Sequence, residues 1–182
     1  MTREELESFI TQFPIYQYAF INPRKIEFSD KVRTICKKEC PRYVNTWSCP
    51  PAVGSVEKCK MKCQEYDYAL FFSSVSDITD ITNMKDTLKT QEEHEKLTTI
   101  INDYLREQCM LTFALSSESC SACEKCSYPK SPCRHPESMH PCIESQGIVV
   151  PALIEQNRMD YFLGERYVLY SIQETRFEGP VE

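Results

Sequence analysis

Three cysteines set two residues apart, Cys120-Ser-Ala-Cys123-Glu-Lys-Cys126, with Cys133 seven residues on, constrain this chain more than any other feature. The spacing wraps backbone around a compact multi-metal core and points to metal first, and within metals to iron and sulfur. Zinc is the alternative. Its tetrahedral cysteine sites usually pair two CxxC motifs across a longer loop, which a CxxCxxC run fits less well.

The first three spacings are those of bacterial ferredoxin runs, where a fourth cysteine follows sooner, precedes proline and serves the other cluster of a pair. Here Cys133 precedes Arg134. Cys133 either completes the site of the other three, with Pro129 and Pro132 stiffening the returning turn, or reaches across to cysteines earlier in the chain.

Those earlier cysteines are Cys36, Cys40, Cys49, Cys59 and Cys63. Cys36/Cys40 and Cys59/Cys63 are each four apart and share a face if helical. Cys49 stands in Trp47-Ser-Cys-Pro-Pro51, where two prolines are expected to hold the backbone extended while Gly54 permits the turn beyond. Five thiols exceed the four that one cluster takes. One of Cys59 and Cys63 is therefore expected to be spare or to serve another site, and three ligands with an open position is a further arrangement.

The total of 11 cysteines would suggest a disulfide framework in a secreted protein. Their odd number, their tight spacing and a start without a signal peptide favour reduced, metal-binding thiolates in a cytoplasmic protein instead. A length of 182 residues is enough for one domain, 1–182, to bury a core without metal, so the case for metal rests on the cysteines. No uncharged stretch is long enough to cross a bilayer.

Net charge is -6, yet residues 31–62 carry eight basic side chains against Glu39 and Glu57. Lys37, Lys38, Arg42, Lys58, Lys60 and Lys62 would lower thiol pKa values and offset a thiolate-ligated centre, or form a solvated surface. An acidic chain without a reading helix or aromatic platform is not expected to bind nucleic acid.

Hydrophobic periodicity gives the framework. Thr2 and Glu5 form a capping box ahead of Leu6, Phe9, Ile10 and Phe13. Residues 15–20, 68–75, 110–115 and 167–172 read as strands. Between the second and third, Ile78, Ile81, Met84, Leu88, Leu97, Ile100, Ile101, Tyr104 and Leu105 repeat at helical intervals, as one long helix or two with a break near Thr90. A short helix is expected over 149–156. The fold class is α+β: a roughly four-stranded sheet with packed helices, of which a ferredoxin-like sandwich is one version. Two cysteine-rich metal-binding segments, 36–63 and 120–142, interrupt it.

Other candidates carry less. Cys109 borders a strand and reads as a small apolar core residue. His94, among Gln91, Glu92, Glu93 and Glu95, is expected to face solvent. Cys142 falls outside any ligand spacing, and a mixed site with His135 and His140 has little support.

Cys36-Lys-Lys-Glu-Cys40-Pro-Arg-Tyr43, Trp47-Ser-Cys-Pro-Pro51 and the segment from Cys120 to Cys133, followed by Arg134, Pro136, Glu144 and Gly147, together resemble one family. It is the predicted metal-binding family called domain of unknown function 2284. The resemblance runs from about Tyr18 to Ile172. It implies Cys36, Cys40 and Cys49 as one ligand set and Cys120, Cys123, Cys126 and Cys133 as another, with Cys59 and Cys63 matching less securely. This chain departs from the family in having Cys142 where serine is usual, and in lacking the acidic residue often found near Ile148-Val149-Val150.

The expected function is that of an iron-sulfur protein with two 4Fe-4S clusters, passing electrons to a redox protein partner or serving as a redox accessory. One alternative is a cluster enzyme with an open iron, using Arg33, Arg42 or Arg134 to hold a small anionic or sulfur-containing substrate. The other is a structural zinc protein. No triad order, phosphate loop or dinucleotide fingerprint appears.

Overall fold

The computed structural model describes residues 2–77, 84–108, 110–117, 120–161 and 166–177, so Cys109, Ile78 and Ile81 lie outside the described residues. The capping box forms as the sequence requires: the Thr2 hydroxyl accepts from the Glu5 N–H, and the Glu5 carboxylate accepts from the Thr2 N–H. It opens helix α1 (Arg3–Ile10), which buries Leu6 and Ile10.

Four strands fall on the expected runs, the first starting two residues later and the other three longer than expected: β1 (Gln17–Ile21), β2 (Tyr68–Asp77), β3 (Met110–Ser116) and β4 (Arg166–Phe177). They form one sheet in the order β1-β2-β4-β3, antiparallel throughout, with Phe71 opposite both Ala19 and Ile172. Strands β2 and β3 thus run parallel with β4 between them, and parallel strands need a long crossover. Helix α4 (Met84–Glu107) is that crossover, continuous through Thr90 rather than broken there.

Central strand β2 is covered on both faces, which explains its unbroken apolar run. Leu70 and Phe72 meet Leu6, Ile10, Leu97, Ile101 and Leu105 of α1 and α4. Ala69 and Phe71 meet Ile143, Ile148 and helix α5 (Val150–Gln156) on the other face. Each fully buried side chain of this size contributes on the order of 1.5–3 kcal/mol.

His94 contradicts the expectation of solvent exposure: it is 2% exposed. The glutamates around it in sequence mislead because α4 turns this one position toward the sheet. Its Nδ1 lies 2.7 Å from the Ser74 hydroxyl and its Nε2 2.8 Å from that of Ser171. Thr98 donates to the His94 carbonyl and stands 2.8 Å from Ser171 Oγ. With one hydrogen per hydroxyl, Thr98 accepts from Ser171, Ser171 accepts from Nε2–H, and Ser74 donates to Nδ1. This network suits a neutral ring, whose burial carries no charge penalty. Burial accordingly pushes His94 down to about 4 from its ordinary 6.5.

The cysteine-rich segments hang on this frame at two points. Residues 117–142 leave β3 and return to its end, where the Ser116 N–H donates to Pro141 O and the Ile143 N–H to Ser116 O. Helices α2 (Asp30–Glu39) and α3 (Val56–Cys63) reach the same junction. Gly147, at φ +85°, lets the chain pass so close to α3 that a Cβ would stand 2.9 Å from both methyls of Val56. No helix among the described residues is long and apolar enough to cross a membrane.

Candidate metal centre

Ser29 caps α2 by accepting from the Lys31 N–H, with Asp30 in the first turn and Lys37 and Lys38 in the last, as the helix dipole favours. This carries Cys36 on the helix and leaves Cys40 as its C-cap, the Cys40 N–H donating to Cys36 O at 3.1 Å. The chain then doubles back. Val44 adopts φ +59°, a conformation that is unfavourable for a β-branched residue, and its N–H donates to Pro50 O at 2.8 Å. Cys36 comes within electrostatic reach of both Cys40 and Cys49.

Around Cys49 the backbone is folded into turns rather than held extended. Ala52 N–H donates to Cys49 O and Gly54 N–H to Pro51 O, each at 3.0 Å, through a cis Pro50–Pro51 bond, and Gly54 takes φ +89°. These turn hydrogen bonds satisfy the backbone polar groups of the segment, so Cys49 is 3% exposed.

The Trp-Ser-Cys segment also clasps the second cysteine motif, a role its sequence did not disclose. Ser48, fully buried, accepts from the Cys120 N–H at 3.2 Å. Trp47 donates through Nε1 to Ser131 O at 3.1 Å and meets the Tyr128 ring edge-on at 4.9 Å.

The second motif contains no helix or strand between Cys120 and Cys133. Ser131 N–H donates to Ser127 O at 3.1 Å, the Ser127 hydroxyl donates to Pro132 O at 2.8 Å, and Arg134 donates to Lys125 O. These bonds turn the chain back on itself. As a result Cys120, Cys123, Cys126 and Cys133 all line one small cavity, with Arg42 and Arg134 at its wall. Of the two roles open to Cys133, the fold brings it beside its own motif.

The remaining thiols sit apart from that cavity. Cys59 is buried beside Arg33, whose guanidinium donates to Gly54 O at 3.0 Å and to Cys59 Sγ at 3.3 Å. Burial pushes the Cys59 thiol up, and Arg33 opposes the rise. Cys63 is 0% exposed in the apolar core, where burial and then the neighbouring Glu174 carboxyl push its thiol far up. Cys142 directs its thiol to Glu144 Oε2 at 2.8 Å and to Ser117 O at 3.6 Å, and burial raises its pKa. His140 bonds Glu95 through Nδ1 at 3.3 Å, and among the described residues no cluster of three ligands forms around it.

Burial is also the main cause that raises Cys36, with Cys40, Glu144 and Cys49 adding to it and Arg33 opposing. Cys120 is raised by burial, lowered by the Ala122 N–H, and raised further by Glu95, Cys133 and Cys123. Thiols that raise one another's pKa in this way gain from a cation that removes their protons, which is the electrostatic condition for a metal site. Among the described residues, no three His, Cys, Asp or Glu side chains stand in a geometry that could hold an ion as placed.

A family model described as predicted metal-binding protein (DUF2284) matches residues 19–175. The chain belongs to this family. The DUF2284 match runs from within β1 to within β4 and takes in both cysteine motifs. No curated protein and no solved structure matches the chain.

For a DUF2284 protein, the donor chemistry fits a soft metal centre. Four cysteines line one cavity, Arg42 and Arg134 line it too and can offset anionic charge, and a buried serine fixes the Cys120 backbone. Sequence reasoning missed the role of Ser48 and the Glu95–His140 pair. Ser48 lies inside the motif that was singled out, whereas Glu95 and His140 are 45 residues apart and only the fold pairs them.

Proposed function

We propose that this protein is an iron-sulfur protein in which Cys120, Cys123, Cys126 and Cys133 hold one 4Fe-4S cluster and Cys36, Cys40 and Cys49 belong to a second. The observation that supports it is that all four cysteines of the second motif line one cavity. Iron-sulfur clusters take sets of four cysteine thiolates with such CxxCxxC spacing. When bound, such a cluster supplies a reversible one-electron step.

The chain's residues then serve electron transfer. Arg42 and Arg134 offset the negative charge of the ligated centre, and Trp47 and Ser48 hold the two cysteine loops against each other so that the centres stay close. The basic segment 31–62 offers a docking face for an acidic redox partner that accepts one electron from a reduced cluster. A reducing, cytoplasmic compartment suits free thiols of this number.

A second reading, structural zinc, is favoured by the size of the cavity. At about 20 Å³ it has room for roughly one water-sized sphere, which suits a single ion, whereas a cubane requires the loop to widen. Anaerobic purification with a visible spectrum and iron, sulfide and zinc counts per chain separates the readings. The proposal expects a brown protein that Cys133→Ser depletes of iron and acid-labile sulfide. A colourless chain with stoichiometric zinc would refute it.

A further inference from the structure

A second and much larger cavity, about 900 Å³, opens along edge strand β3, and its size is that of a small-molecule site. Its floor is Met110 to Ala114, and its walls are the C-terminal half of α4, helix α3 and the stretch from Pro132 to Pro141. Cys133 lines both this cleft and the four-cysteine cavity, so an occupant would lie against the metal-holding loop.

The charge of the lining is one-sided. Lys58, Lys62 and Arg106 stand against Glu137, the one acid in the lining among the described residues. Lys62 is fixed by its ammonium lying 3.6 Å over the Phe113 ring, and Arg106 by donating to the Glu137 carbonyl at 3.4 Å. Met110 and Phe113 add apolar groups to the same lining.

His140 supplies the specific element. Its ring forms part of the cleft wall and is 4% exposed, Nδ1 is held by Glu95 at 3.3 Å, and Nε2 is buried with no hydrogen-bond partner. Buried polar nitrogens are seldom left unpaired, because the lost hydrogen bond is costly. With Nδ1 held by the Glu95 carboxylate, Nε2 is the ring atom left for an occupant of the cleft to bond.

We infer that this cleft is a binding site for a small organic anion with an apolar body and one N–H or O–H donor, the anion held by Lys62 and Arg106 and the donor by His140 Nε2. The inference does not depend on which metal the cysteines hold.

The test is calorimetric titration of the anaerobically purified full chain with 1-anilinonaphthalene-8-sulfonate, which has an anionic group, an apolar body and an N–H. N-phenyl-1-naphthylamine, which lacks the sulfonate, serves as the neutral control. The expected result is one saturable sulfonate site, with the neutral compound at least tenfold weaker. The Lys62→Met/Arg106→Met variant should weaken sulfonate binding tenfold or more and leave the neutral compound unchanged, whereas Lys25→Met/Lys31→Met, outside the cleft, should do neither. His140→Phe should weaken both compounds and His140→Gln should recover binding. Equal affinity for the two compounds, no saturable site, or charge variants that bind like the wild type would each overturn the inference. Metal counts on the same samples keep a failed cluster assignment distinct from a failed cleft assignment.

Discussion

Lowering the pH should unfold this protein partly through His94, a residue with no part in the metal chemistry. Its ring is enclosed by Ser74, Ser171 and Phe72, where burial disfavours the charged form. In the unfolded chain the ring protonates near 6.5, whereas in the folded protein burial holds it down to about 4. The unfolded state therefore takes up the proton first as pH falls. The stabilising contribution is complete above 6.5 and is lost across the window down to about 4. Between pH 7 and 5 this linkage amounts to about 2 kcal/mol, at 1.36 kcal/mol per unit of pH once below the unfolded value. Urea unfolding of wild type and His94→Leu at matched pH values isolates it, since all other titrations cancel in the difference. The wild type should lose about 2 kcal/mol more than the variant over this range. Parallel pH dependence of the two proteins, or a ring that titrates near 6.5 in the folded state by proton NMR, would refute the reasoning.

Three further outcomes are expected. Ser48→Ala leaves the Cys120 N–H buried without its acceptor, so stability should fall by about 1–3 kcal/mol. The same variant should give up its metal to a chelator on the order of tenfold more readily, as read by metal retained per chain. Glu174 is fully buried beside the Cys63 thiol, and burial pushes it up to about 8 from 4.5, so its stabilising contribution is complete below 4.5 and is lost as pH rises toward 8. Glu174→Gln should therefore be more stable than wild type by roughly 3 kcal/mol at pH 7 and equal to it near pH 4, measured by denaturant midpoints. Gly147→Ala combines a left-handed φ with a 2.9 Å approach to the Val56 methyls and should lower stability by about 2 kcal/mol or more. Adding Val56→Ala should recover the steric part but not the backbone part.

Much of the frame is written in local pattern. The Thr2/Glu5 box, the four apolar runs and the helical repeat after β2 each depend on residues within a few positions of one another, so they could be read along the chain. Pairing order could not. That β4 inserts between β2 and β3 follows from how the faces are covered, and no short window contains that information.

The same division holds at the metal centre. By itself the sequence determined that Cys120, Cys123, Cys126 and Cys133 are a loop-borne thiol set, because ligand spacing is a local property. Only the tertiary structure decided that Cys133 turns back to its own motif, that Ser48 and Trp47 of the first motif clasp the second, and that Cys63 is enclosed in the core. It also turned His94 inward and set His140 on Glu95, in each case through hydrogen bonds between residues 20 or more positions apart. Such contacts exist only once the sheet has buried both of its faces, which is why periodicity and spacing alone could not predict them.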